Sequence, residues 1–201
     1  MKKIRGFKLA LRLKEIQRRG KKAGLDASLL CEESLIPLSD AVLKALSPGV
    51  VFETLNKEEA SRLSPLPGLA ASIVVATLGP GFDGFREATI REAPAKTPLL
   101  DLMREVLLEE AVRFAASLIE DEATAEACEL SPWGAVTDPE ALAEVVRRLE
   151  CGKIGVSLSP SGLAPSATTA AAISWLAKGK ARKAASASGG SSARKDGPAK
   201  Q

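Results

Sequence analysis

Gly79-Pro80-Gly81-Phe82-Asp83-Gly84 follows an apolar, β-branched run and matches G-x-G-x-x-G, the turn with which dinucleotide folds cradle a phosphate. Pro80 removes one of the backbone N–H groups that such a cradle offers, and the following FREATIREAPAKTP is broken by proline. With no regular βαβ unit after it, the segment is expected to be a glycine-rich exit turn from a buried strand. Carboxylates gather at Glu109-Glu110 and at Glu120-Asp121-Glu122, where proton or cation chemistry would need convergence from several segments. They lie along or just beyond a helix whose other face is apolar, which predicts a solvated charged face. Ser157, Ser159, Ser161 and Ser166 crowd one stretch, but the sequence holds no histidine to activate them.

That absence reaches further. With neither histidine nor tyrosine, the sequence excludes imidazole general bases, His-assisted nucleophiles, HExxH zinc sites and axial imidazole ligands. Cys31, Cys128 and Cys151 are odd in number and unevenly spaced, which fits neither a disulfide framework nor a CxxC metal site. Reduced, partly buried thiols are expected. No apolar run of membrane-spanning length and no signal-peptide pattern is present, so the expected location is cytoplasmic and no membrane partner is foreseen.

The net charge of +3 conceals a strong asymmetry. Residues 1–25 carry ten Lys/Arg against Glu15, and residues 178–201 carry seven against Asp196, leaving 11 positive and 23 negative charges over residues 26–177. Basic ends of this kind bind phosphates or acidic surfaces, keep a chain soluble, or fold onto their own acidic body. Residues 178–201 lack the apolar side chains that would offset ordering entropy and read as a disordered basic tail. Residues 1–25 read as a basic helical segment, its Leu/Ile stripe over Phe7–Arg19 interrupted at Gly20 and docked on the body.

The intervening residues 26–177 form the expected α+β domain. Thr137-Asp138-Pro139-Glu140 caps a helix over 138–150, with Leu142, Val145, Val146 and Leu149 on its buried face and Arg147 and Arg148 solvated. A longer helix is predicted over 99–120, its stripe of Met103, Val106, Leu107, Ala111, Phe114, Ala115 and Leu118 opposite Arg104, Glu105, Glu109 and Arg113. Weaker helical patterns cover 27–47 and 56–63. Strands are predicted at 50–54, 72–78 and 153–159.

Taken in order, several of these segments resemble the activation domain of cobalamin-dependent methionine synthase and its free-standing relatives. Ile73–Pro80 (IVVATLGP) resembles that family's apolar strand ending in a T-[IL]-G-P turn. Asp101 stands where an aspartate opens a long helix, with Glu109 eight residues on. Glu129-Leu-Ser-Pro-Trp-Gly134 resembles the R-x-S-P-G-Y loop, and Lys153–Pro165 (KIGVSLSPSGLAP) resembles the closing strand and its S-G-x-M-x-P turn.

The resemblance implies a bent, mainly antiparallel sheet flanked by helices, S-adenosylmethionine binding, and docking on a corrinoid-binding protein or methyltransferase, so that cobalamin would enter only through that partner. It assigns cofactor contact to Asp101, Glu129, Ser131, Pro132, Trp133 and Gly134. Glu129, however, replaces the arginine that would hold the ligand's carboxylate, reversing the sign of that contact. The function expected is thus accessory: reactivation of corrinoid-dependent methyl transfer with an altered cofactor site. Two alternatives stay open, a non-catalytic module docking on a corrinoid protein or reductase, and a nucleic-acid-associated protein using the basic ends. With only two Trp and five Phe, stacking platforms for bases are scarce, so no nucleic-acid partner is expected.

Overall fold

A computed structural model describes residues 1–60, 63, 67–160 and 162–178, so the expected tail lies outside the described residues from 179 onward. The chain runs β1 (Lys2–Arg5), α1 (Leu13–Lys22), α2 (Ala27–Leu30), α3 (Glu32–Ala45), β2 (Gly49–Asn56), α4 (Lys57–Ala60), β3 (Ala70–Thr77), α5 (Pro80–Glu92), α6 (Thr97–Ala125), β4 (Cys128–Leu130), β5 (Gly134–Ala135), α7 (Pro139–Arg148), β6 (Ser157–Ser159), β7 (Gly162–Ala164) and β8 (Thr168–Ala177). The architecture is α+β. One sheet has the order β1-β2-β3-β8-β4, with β5 also on β8, and β6 and β7 form a separate hairpin. Every pairing among the described strands is antiparallel.

Both faces of this sheet are covered, which explains why its strands read as continuous apolar runs. Even positions of β2 and β3 and odd positions of β8 (Val50, Phe52, Val74, Ala76, Ala171, Ile173 and Trp175) face the second half of α6. The opposite parity (Val51, Leu55, Ile73, Val75 and Ala170) packs with Val145 and Leu149 at α7, and with Cys151, Ile154 and Val156. A third cluster joins the first half of α6 to α3 and α5 through Leu35, Val42, Phe82, Met103 and Leu107.

The helix predicted over 99–120 is α6, which spans 97–125; its earlier start is allowed because Pro98 falls in the first turn, where no backbone N–H is needed. The helix predicted over 138–150 is α7; Asp138 caps it by accepting from the N–H groups of Glu140 (3.0 Å) and Ala141 (3.5 Å). Its face is as expected, Val145 fully buried and Leu142 and Val146 partly so. Arg148 is not simply solvated: its guanidinium donates to Glu53 (3.1 Å) and Glu59 (3.0 Å), tying α7 to β2 and α4.

Four expectations are corrected. Residues 1–25 are not helical throughout, because Lys2–Arg5 pair with β2 as an edge strand whose lysines and arginine face solvent while Ile4 packs inward. Gly20 does not interrupt α1; a Cβ there would come within 2.7 Å of a Leu30 methyl, so the glycine lets α1 and α2 approach. Residues 153–159 are a 3-10 turn (Cys151–Ile154) followed by the short β6, and the strand that joins β3 to β4 in the main sheet is β8. Its run Ala170-Ala171-Ala172 has little strand propensity, but small side chains are what a strand packed on both faces accommodates, and tertiary context overrides propensity. Finally, the proline-containing stretch after Leu78 is a helix, α5, with Pro80 at its first position.

This packing predicts that Leu107→Ala, which opens a cavity between α6 and the helical cluster, lowers unfolding free energy by about 2–5 kcal/mol. The exposed Glu105→Ala, two residues earlier, should stay within about 0.5 kcal/mol of the parent in the same urea titration.

Candidate binding groove

β4 and β5 belong to one strand-like passage along β8 that is interrupted by a bulge. Leu130 pairs with Trp175 and Gly134 with Ala172, so three residues, Ser131, Pro132 and Trp133, stand opposite two. Ser131 anchors the bulge: its N–H donates to the Ser174 carbonyl (2.9 Å), its hydroxyl accepts from the Ser174 N–H (3.0 Å) and donates to the Pro132 carbonyl (2.9 Å). Neighbouring Trp175 is buried, its indole N–H donating to the Ser72 hydroxyl at 2.9 Å, which in turn bonds Thr54. Trp133, by contrast, is 39% exposed.

The bulge and the C-terminal half of α6 enclose a groove of about 440 Å³, lined by Arg113, Ser117 and Glu120 from the helix and by Glu129, Ser131, Pro132 and Trp133 from the loop. The helix residues fall at i, i+4 and i+7, one strip of α6. Four of the six residues assigned by the sequence thus come together. Gly134 is paired with Ala172 just beyond them. Asp101 is elsewhere: it sits twelve residues before Arg113, about 18 Å along the helix, and binds Arg86 at 2.9–3.0 Å. Arg113 and Glu120 were legible only as parts of a charged helix face, since nothing in the sequence says which strip of that face the loop approaches.

The groove's charges are unequal. Arg113 is committed to Glu110 at 2.7 Å, whereas the carboxylates of Glu120 and Glu129 make no hydrogen bond or ion pair among the described residues. Every buried side-chain nitrogen or oxygen described has a partner, so the interior presents no orphan polar atom for a cofactor.

The other chemical candidates resolve into structure. Gly79 adopts φ +83°, and a Cβ on it would stand 2.7 Å from the Ser47 carbonyl; one on Gly81 would collide with the Ala45 carbonyl. The two glycines let α5 abut the end of α3, a closeness that leaves no phosphate cradle. Asp83 accepts from the N–H (2.7 Å) and hydroxyl (2.8 Å) of Ser166. Glu109 takes both arms of the Arg19 guanidinium (2.6 and 2.7 Å), Glu110 binds Arg12 (2.5 Å) and Glu122 binds Lys2, so three of the ten cations of residues 1–25 pair with α6. No cluster of His, Cys, Asp or Glu suited to a metal exists among the described residues. The three cysteines are free, and burial pushes the Cys151 thiol up to about 11, well away from a reactive thiolate at neutral pH.

Among the described residues no helix is long and apolar enough to cross a membrane. No protein-family model matches this chain, and no curated protein matches it.

Hydrogen bonds from Arg18 and then Arg19 hold the Glu15 carboxyl at about 2, down from 4.5. A depressed carboxyl contributes stability that is complete above its unfolded value and lost as pH falls through its folded one. Stability measured between pH 4.5 and 2 should therefore fall less steeply in Glu15→Gln than in the parent; parallel curves would contradict the assignment.

Proposed function

We propose that this chain is an accessory protein of corrinoid-dependent methyl transfer, built like the reactivation domain of cobalamin-dependent methionine synthase and carrying an altered cofactor site. The observation that carries the reading is the convergence of Glu129, Ser131, Pro132 and Trp133, the loop singled out by resemblance, on one groove against α6. A further support is the antiparallel sheet flanked by helices that the resemblance implies. On this reading the corrinoid belongs to the partner.

S-adenosylmethionine is half matched by the residues present. Its sulfonium and ammonium groups suit Glu120 and Glu129, and its adenine suits the face of Trp133. Its carboxylate would meet Glu129 where an arginine is expected, and the groove's cation, Arg113, is already paired with Glu110. The second reading, a non-catalytic module that docks on a corrinoid protein or reductase, is favoured by the same facts together with the engagement of Ser131 in the sheet and of Asp101 by Arg86.

Isothermal titration with S-adenosylmethionine separates the two. The parent chain is expected to bind more weakly than micromolar and Glu129→Arg to bind at least about tenfold more tightly, the effect of one charge-assisted contact. Sub-micromolar binding by the parent would contradict the altered site. No gain in Glu129→Arg would favour the docking module.

A further inference from the structure

The mismatch between the groove and a carboxylate-bearing ligand has a positive side. Three chemical features meet in it: an indole 39% exposed at Trp133, and two carboxylates, Glu120 from α6 and Glu129 from β4, that no cation of the described residues neutralises. Along α6 and α1, Glu109, Glu110, Glu122 and Glu15 find Arg or Lys partners, while the exposed Glu105 and Asp121 find none among the described residues and do not line the groove. Glu120 and Glu129 find none either, although Arg113 lines the same groove; its guanidinium turns along the helix to Glu110 instead.

An aromatic face beside unpaired carboxylates is the arrangement that attracts an organic cation, through the ring quadrupole and direct charge together. The Ser131 bonds to Ser174 and Pro132 hold the backbone of the bulge that carries Trp133, so the sheet places this residue at the groove without a ligand. With about 440 Å³ the groove is larger than an inorganic ion requires and suits a guanidinium or alkylated ammonium on an aliphatic stem, which Pro132 and Ile173 can line. We infer that the groove between α6 and the 131–133 bulge binds an organic cation that lacks a carboxylate, with Glu129 and Glu120 supplying the counter-charge and Trp133 the aromatic wall. Such binding goes beyond the corrinoid reading and does not require that partner.

Agmatine, a guanidinium on an aliphatic stem without a carboxylate, is the probe, and acetate is the anionic control. Titrated into the full chain at low ionic strength, agmatine should give a saturable change in tryptophan fluorescence, and acetate none. Trp175 is buried, so the signal reports Trp133 and should vanish in Trp133→Leu. Glu129→Gln should weaken binding about tenfold, the loss of one charge-assisted contact, while Asp121→Asn, which removes an exposed charge that does not line the groove, should leave it unchanged. Thermal melts of each variant confirm that it is folded before titration. The inference is overturned by the absence of saturable binding, by equal weakening in Glu129→Gln and Asp121→Asn, or by acetate binding. If S-adenosylmethionine binds and agmatine does not, this inference falls and the reactivation-domain reading survives; if agmatine binds and S-adenosylmethionine does not, even to Glu129→Arg, the inference stands and the reactivation-domain reading loses its ligand.

Discussion

The packing of α6, a helix of 29 residues, against two separate sets of partners fixes where the other elements lie. Leu99 to Leu107 pack into the helical cluster with α3 and α5, while Ala111 to Ala123 lie on one face of the sheet, so a single rigid rod about 43 Å long joins two cores. Small side chains at Ala111, Ala115 and Ala123 bring the rod close to the strands, and Val112 and Ile119 fill the spaces between. The groove follows from this packing, as the space left between the rod and the bulge at the β4 edge of the sheet.

The outer side of the same helix organises charge. Along its length Glu109, Glu110 and Glu122 receive Arg19, Arg12 and Lys2, and Phe114 stacks with Phe7 at 4.3 Å. The N-terminal segment therefore runs back along α6 as a strap that neutralises part of an acidic body. Of the three uses open to a basic end, attachment to its own domain is the one these contacts describe. Exposed pairs of this kind contribute little singly, but the bidentate Arg19–Glu109 contact and its sharing with Glu15 make a small network at the junction of α1 and α6.

Legibility in the sequence tracked how local the determining interaction was. Helix α7 could be read because its cap, its early proline and its 3.6-residue stripe all lie within twelve residues, and α6 because its stripe is long. Strands β2 and β3 announced themselves by β-branched side chains. Strand β8 did not, since three alanines in a row carry no strand signal and only the packing of both sheet faces makes them suitable there. The basic edge strand β1 was concealed by its charges, and α5 by a proline whose position at the helix start costs nothing. At the groove, the loop 129–134 was identifiable as a segment, yet its meeting with Arg113 and Glu120 is a tertiary fact. Asp101 shows the converse: assigned to the same site through a motif, it lies at the other end of α6 and holds Arg86.

On the proposed reading, in which the chain docks on a corrinoid-binding partner through the groove, that partner must shield it. Hydrogen exchange of the chain, measured by mass spectrometry with and without a cobalamin-loaded corrinoid-binding domain, tests this most directly. Slowed exchange is expected at residues 113–120 and 129–134, with the strands facing α7 unchanged. Protection confined to other surfaces, or no protection at saturating partner, would contradict it.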